Sequence, residues 1–254
     1  MDMDFSEAEI QRYSRHILLA EVGGTGQAKL RAAAVLVIGA GGLGSPLALY
    51  LAAAGVGRIG IVDDDVVELS NLQRQVAHGM GDVGQPKAAS AATSARAINP
   101  GVVIDVHPVR LGPDNVAALI GGYDIICDGS DNFPTRFLVA DACVAAKRTL
   151  VSAAVLRFEG QLSTFKPHTG GPCYRCLYPE APPDGMVPSC GEAGVLGAVT
   201  GVMGTLQATE VLKEILGIGE SLSGRLLIWD ALPVLFRTVR FKRDLTCAVC
   251  GPNG

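Results

Sequence analysis

The 254-residue sequence predicts an α/β fold, a doubly wound, mainly parallel sheet continued by antiparallel strands. Three observations predict it. An apolar strand, VLVI at 35–38, runs into GAGGLG and then into the helical stretch SPLALYLAAAG, the order that opens a Rossmann-like unit. Apolar strands then alternate with helical segments as far as residue 155, the pattern of βαβ crossovers. Beyond residue 156 strand-like stretches and two Cys-x-x-Cys pairs take over.

Each element has a local reason. Ser6 and Glu9 form an S-x-x-E capping box, with Phe5 and Ile10 placed for a hydrophobic staple; a helix over 7–20 follows, carrying Arg12, Arg15 and His16, and VGGTGQ breaks it. In the next helix Ser45 is the expected cap, Pro46 the first position and Gly55 the end. RIGIVD (58–63) is the second strand. LSNLQRQV is a short helix, and a longer one runs over 86–99 from Pro86. VVIDVH (102–107), PDNVAALI, YDIICDGS (123–130), a helix over 134–147 and TLVSAAV (149–155) continue the alternation. Stretches 156–166, 225–230 and 235–242 read as antiparallel strands. Between them lie a proline-rich loop and a long apolar helix from about Glu192 to Leu216.

With 48% hydrophobic residues the chain can bury a sizeable core, and a net charge of −4 with 18% charged residues argues against a nucleic-acid surface. Residues 32–57 carry no charge, but GAGGLG and SP interrupt them, so a strand, turn and buried helix is expected rather than a membrane span. The acidic start, MDMDFSEAEI, has no signal-peptide pattern, and a cytoplasmic location is the expectation. The whole of 1–254 is expected to be a single unit: the N-terminal helix, a nucleotide-binding half over 33–155, and a second half over 156–251.

Gly39, Gly41 and Gly44 occupy the dinucleotide-binding positions, with Gly42 in the same turn. Such a loop brings backbone N–H groups to phosphate at a helix N-terminus. Asp63, ending the next strand, suits ribose hydroxyls. A nicotinamide dinucleotide and ATP both fit these features. Arg74 and Lys87, downstream of Asp63, favour a triphosphate whose pyrophosphate must leave. In CDGSDN, at the end of the fourth strand, Asp131 is a candidate Mg²⁺ ligand with Asp128 in the same loop; an Asp-Asn helix cap is the other reading.

Seventy residues separate Cys176 of CYRC from Cys247 of CAVC. Cys173, Cys176, Cys247 and Cys250 supply four thiolates, enough for a closed, structural zinc site. Cys127 and Cys143 sit in apolar elements and read as inert core. Cys190 precedes GEAG at a helix start, where the helix dipole lowers a thiol pKa; an ordinary loop cysteine is the alternative.

RYSRH, GAGGLGS, DDDVVELSNLQRQ, VGQPK, DGSDN, CYRC, AGVLG, GVMGTLQATEVLK and CAVC together resemble the MoeB/ThiF group, relatives of the ubiquitin-activating enzymes. The resemblance runs from about residue 8 to residue 251 and is to the short form, without the rhodanese domain of longer members. It implies ATP-dependent adenylation of the C-terminal glycine of a small ubiquitin-like sulfur carrier ending in Gly-Gly. Pyrophosphate is released, and the carrier is activated for sulfur transfer in molybdopterin, thiamine or related biosynthesis. The implied nucleotide contacts are Gly39, Gly41, Gly42, Gly44, Asp63, Asp65, Ser70, Asn71, Leu72, Gln73, Arg74, Lys87, Asp131 and Asn132. Asp63 is placed on the ribose, Asn71, Arg74 and Lys87 on the phosphates, and Asp131 on Mg²⁺. Arg15 reaches the phosphates across a homodimer. Cys190 matches a cysteine that some relatives use in a thioester or persulfide step, and a sulfur donor is a further implied partner. A nicotinamide-dependent oxidoreductase and a non-catalytic carrier-binding scaffold are the rival readings. No nucleic acid or membrane partner is expected.

Overall fold

The computed structural model describes residues 4–183, 185–186 and 190–252, with the backbone alone at 190 and 191. Its strands are β1 (Ala34–Ile38), β2 (Arg58–Val62), β3 (Val103–His107), β4 (Ile125–Asp128), β5 (Thr149–Leu156), β6 (Glu159–Phe165), β7 (Arg225–Asp230) and β8 (Leu235–Arg240). They form one sheet in the order β3-β2-β1-β4-β5-β6-β7-β8. Pairing is parallel from β3 to β5 and antiparallel from β5 to β8. The predicted change of pattern after residue 155 is thus the change of strand direction.

The helices are α1 (Glu7–Ile17), α2 (Gly23–Ala32), α3 (Gly44–Ala54), α4 (Lys87–Ile98), α5 (Val116–Gly121), α6 (Phe133–Ala145), α7 (Tyr174–Leu177), α8 (Cys190–Ala193) and α9 (Gly197–Leu216). Successive strand residues point to opposite faces. Val35 and Val37 therefore join Leu47 and Leu51 of α3, Ala88 and Ala91 of α4, and Met203 and Val211 of α9 in one apolar layer. Leu36 and Ile38 join Ile120 of α5 and Val139 and Cys143 of α6 in the other. A sheet covered on both faces needs strands without polar residues, which is why VLVI is apolar throughout.

Four local expectations are corrected. The N-terminal helix stops at Ile17, and GGTGQAKLRA forms a second helix, α2, that glycine content argued against. Tertiary hydrogen bonds hold it: buried Gln27 donates through Nε2 to the Ala54 carbonyl (2.9 Å), and Lys29 Nζ donates to the Leu216 carbonyl (2.8 Å). The capping box at Ser6 and Glu9 is present, but Phe5 lies under the Arg31 guanidinium (4.2 Å) and Ile10 is half exposed. Ser45 does not cap α3; it lies inside the helix and its hydroxyl donates to the Ala40 carbonyl (3.2 Å). The long apolar helix begins at Gly197 rather than near Glu192, because Gly194, at φ 77°, separates it from α8. Among the described residues no helix is long and apolar enough to cross a membrane.

Helix α9 lies against α3 at a spacing that only glycine permits. A Cβ at Gly204 would meet the Leu43 carbonyl oxygen at 2.5 Å and Pro46 Cγ at 2.6 Å, whereas one at Gly201 would meet nothing within 4 Å. Gly204→Ala is therefore expected to destabilise the fold by about 1–3 kcal/mol. Gly201→Ala, one turn away, is expected to be neutral or to stabilise by up to about 1 kcal/mol through helix propensity. Thermal melts of the two variants check this, and equal melting temperatures would contradict the close approach of α3 and α9.

Candidate nucleotide site

The strand order reverses between β1 and β4, and the loops after those strands meet there. Open α/β sheets bind ligands in the crevice at such a point. The meeting is close: a Cβ on Gly39 would lie 3.2 Å from the Gly129 carbonyl oxygen. Gly39 has φ 88°, in the left-handed region that favours glycine. A Cβ on Gly44 would overlap the Gly39 carbonyl oxygen, so the first turn of α3 can fold back on the loop only with glycine there. Gly41 borders Gln75, and Gly42 packs on Thr200 of α9.

Asp63 follows β2 and is half-buried beside this loop. Its Oδ2 accepts the Ala40 N–H (2.7 Å) and its Oδ1 the Asp65 N–H (2.9 Å). Burial raises its pKa above the ordinary carboxylate value, while those two N–H groups and the Lys87 charge act in the opposite sense. Lys87, at the start of α4, is buried and pairs with exposed Asp65 at 2.7 Å. Between them the 3₁₀ turn Leu69–Asn71 leads into Arg74. Asn71 is buried and accepts the Glu68 N–H (3.0 Å); Arg74 donates to the Ser70 carbonyl (3.1 Å). Leu72 is half-buried and Gln73 exposed, and the Gln73 backbone abuts the start of α9 at Gly197.

The two aspartates after β4 differ in burial. Asp128 is 1% exposed and accepts hydrogen bonds from the Ser130 N–H, the Ser130 hydroxyl and the Ser152 hydroxyl. Its carboxylate is thus engaged by three hydrogen bonds inside the protein, next to the loop that carries Asp131. Asp131 is exposed, and its neighbour Asn132 is the true cap of α6, accepting the Thr135 N–H (2.9 Å). The cap is thus Asn132 alone, and Asp131 remains open to a ligand.

From Asp131 and Asn132 a cavity of about 560 Å³ runs across β5 and β6, past Ser152, Gln161, Phe165, Tyr174 and Tyr178. Its walls include no residue of the glycine loop or of 63–87, so Asp131 stands at the junction of two regions.

Arg15 is exposed and is not brought to this site. Helices α3 and α4 run antiparallel to the strands, so their C-terminal ends mark the sheet edge opposite the glycine loop. Helix α1 sits at those ends. Asn99 donates to the Tyr13 hydroxyl (2.9 Å), Arg12 donates to the Ile98 carbonyl (2.8 Å), and a Cβ on Gly55 would meet Tyr13 at 2.5 Å.

The four cysteines of the two pairs converge. Sγ–Sγ distances are 3.7 Å for Cys173–Cys176, 3.6 Å for Cys173–Cys247 and 3.5 Å for Cys176–Cys250, and all four lie within 4.8 Å of one another. A tetrahedron of thiolates around zinc, with metal–sulfur distances of about 2.3 Å, has an edge of about 3.8 Å. The cluster is compatible with such a site. Cys127 and Cys143 are buried in the core as expected, and burial raises both thiols. Cys190 begins α8, but its side chain lies outside the described residues.

Sequence reasoning missed two buried polar residues behind the glycine loop. His78 Nε2 lies 2.9 Å from the Ala40 carbonyl oxygen. Gln75 is 3% exposed, and among the described residues its Oε1 has no hydrogen-bond partner. His78 belongs to an irregular stretch, and Gln75 to LSNLQRQV, expected to be a short helix but forming only a 3₁₀ turn at Leu69–Asn71, so only tertiary packing reveals them.

A family model described as the ThiF family matches residues 13–249. The chain is 57% identical over 247 residues to adenylyltransferase and sulfurtransferase MOCS3 of Bos taurus, covering 97% of this chain and 54% of that protein. It spans about half the length of such relatives. It is 50% identical to the SAMP-activating enzyme E1 of Haloferax volcanii, covering 100% of this chain and 93% of that one. It is 49% identical to the sulfur carrier protein adenylyltransferase of Thermus thermophilus, covering 98% and 93%. The fold is similar to that of E. coli MccB solved with MccA-N7isoASN, with a TM-score of 0.84 at 23% identity over 98% of this chain and 76% of that one. On the family match across nearly its whole length and on relatives at about half identity, the chain belongs to the ThiF family.

Proposed function

We propose that this chain uses ATP to adenylate the C-terminal carboxylate of a small ubiquitin-like sulfur carrier ending in Gly-Gly. The observation that carries this reading is the similarity, over 98% of the chain, to a protein named sulfur carrier protein adenylyltransferase. The geometry supports it: Asp131 lines a separate cavity of about 560 Å³ and follows the loop that meets the glycine turn, where a carrier tail would approach the nucleotide. A hydride-transfer reading lacks such support, because Arg74 and Lys87 supply positive charge that a leaving pyrophosphate needs.

In this reading a carrier carboxylate oxygen attacks the α-phosphorus of ATP. The bond from that phosphorus to the bridging oxygen breaks, pyrophosphate leaves with the electron pair, and an acyl adenylate remains. Gly39, Gly41, Gly42 and Gly44 let backbone N–H groups approach phosphate, and Asp63 accepts from the ribose. Asp65, Ser70, Asn71, Leu72, Gln73 and Asn132 shape the surrounding wall, while Arg74 and Lys87 stabilise charge on the phosphates. Lys87 is bonded to Asp65, so ATP would draw it from that partner. Magnesium, held by Asp131 and phosphate oxygens, would neutralise charge on the departing pyrophosphate. Cys190 serves sulfur transfer after adenylation. Zinc on Cys173, Cys176, Cys247 and Cys250 is structural, since four thiolates leave no open position. Arg15, remote from the site of its own chain, serves the site of a homodimer partner. Among the described residues no cysteine is in a disulfide, which suits a reducing, cytoplasmic compartment.

Three outcomes are expected. Purified protein carries one zinc per chain by elemental analysis; Cys250→Ser loses it and melts at lower temperature, since structural zinc couples binding to folding. Metal-free wild-type protein with an unchanged melting temperature would contradict the zinc assignment. Asp131→Ala keeps its far-ultraviolet circular dichroism but loses carrier-dependent pyrophosphate exchange by about 10²-fold or more; ordinary magnesium dependence in that variant would mean another ligand holds the metal. Arg15→Ala and Arg74→Ala each lose about 10³–10⁵ in rate. Mixing them with subunit exchange restores activity at about a quarter of sites, because one site of each mixed dimer has both arginines. Exchange without recovery would place Arg15 outside the partner's site.

A further inference from the structure

The glycine loop is gripped from behind. Ala40, between Gly39 and Gly41, has its N–H held by Asp63 Oδ2 at 2.7 Å. Its carbonyl oxygen is held twice, by His78 Nε2 at 2.9 Å and by the Ser45 hydroxyl at 3.2 Å. A carbonyl only accepts, so His78 must carry its hydrogen on Nε2. Nδ1 then accepts from the Ser90 hydroxyl of α4, 2.8 Å away. The ring is 7% exposed. Burial holds its pKa below the ordinary histidine value against the Ala40 carbonyl and the Asp82 and Asp63 charges, with Lys87 acting in the same sense as burial. A neutral ring with one N–H follows.

The direction of that grip matters. In a trans peptide the carbonyl and the next N–H point opposite ways. Drawing the Ala40 carbonyl towards His78 therefore turns the Gly41 N–H outward. Among the described residues no acceptor faces that N–H, whereas the Gly41 carbonyl accepts from Ser45 N at 2.9 Å. An outward N–H at the head of a helix is what a phosphate oxygen seeks.

We propose that His78 is a positioning residue for the nucleotide: as its Nε2–H tautomer it clamps the Ala40 carbonyl and so presents the Gly41 N–H to phosphate. The inference rests on the nucleotide reading of the glycine loop. His78 itself touches no substrate.

Two substitutions separate the ring's two sides. A glutamine amide N–H reaches where Nε2 stands, while an asparagine reaches only the Nδ1 side. In carrier-dependent pyrophosphate exchange with magnesium present, His78→Asn is expected to raise the KM for ATP about tenfold, the loss of one well-placed hydrogen bond. Its kcat stays within about twofold and its KM for the carrier is unchanged. His78→Gln stays within about threefold of wild type in all three. Equal ATP KM values in the two variants, or a loss that falls on the carrier KM, would overturn the proposal and leave His78 as packing. Calorimetric titration with magnesium and ATP reads the same ratio without a carrier. Absence of exchange in a wild type that binds ATP counts against adenylation, while the ratio of Kd values still decides His78; a wild type that binds no ATP overturns both. Long-range proton–nitrogen spectra of the labelled wild type read the tautomer directly. The protein has four histidines, and the ring absent from the His78→Gln spectrum is His78. A neutral Nε2–H pattern at pH 7 is expected, and an Nδ1–H or doubly protonated pattern overturns the clamp.

Discussion

The C-terminal edge of the sheet depends on the Gly39 carbonyl being able to lie against the first turn of α3. Any side chain at residue 44 would occupy the place of that oxygen. Because the turn closes there, the chain leaves β1 and enters α3 with its loop pressed against Gly129 of the loop after β4. The loops that follow two adjacent, hydrogen-bonded strands, β1 and β4, are thereby brought into backbone contact at the point where the strand order reverses. Thr200 of α9 supports the same turn at Gly42, and Gly204 supports it at Leu43. A helix from the last third of the chain thus sets the geometry of a loop in its first fifth.

Burial divides labour among chemically identical groups. Asp128 and Asp131 are three residues apart, yet one is enclosed by two serines and the other faces solvent at the mouth of the cavity. The enclosed carboxylate ties β4 to β5 through Ser152, a connection between strands rather than a reacting group. Gln207 of α9 reinforces that seam, donating to the carbonyls of Asp128 and Val151 at 2.9 Å each. Asp63 combines both characters. It fixes the glycine loop through Ala40 while remaining half exposed, its carboxylate already oriented by the backbone.

The second half of the chain does different work. Four thiols from residues 173–176 and 247–250 close on one another beside α6, joining segments that lie on either side of α9 and the β7–β8 hairpin in sequence. The cavity floor includes Tyr174, inside the first cysteine pair, which packs edge-on against Phe137 and Phe165. A metal on the thiols would therefore stiffen the floor of the cavity as well as the chain terminus.

Much of this was determined by sequence alone, where the cause is local. Apolar strands, a glycine turn and Pro46 at a helix start are short-range features, so the doubly wound sheet, its change of direction after residue 155 and the glycine loop were all legible. The clustering of the two Cys-x-x-Cys pairs was legible because their spacing is the one metal ligands use. Residues whose role depends on a partner distant in the chain were decided only by the tertiary structure. Helix α2 forms against its glycine content because Gln27 and Lys29 find carbonyls on α3 and α9. Asp128 and Asp131 exchanged their apparent equivalence for separate roles once one faced inward. His78 had no signature at all, since a histidine in an irregular stretch acquires a purpose only when folding brings the Ala40 carbonyl, 38 residues away, within 2.9 Å.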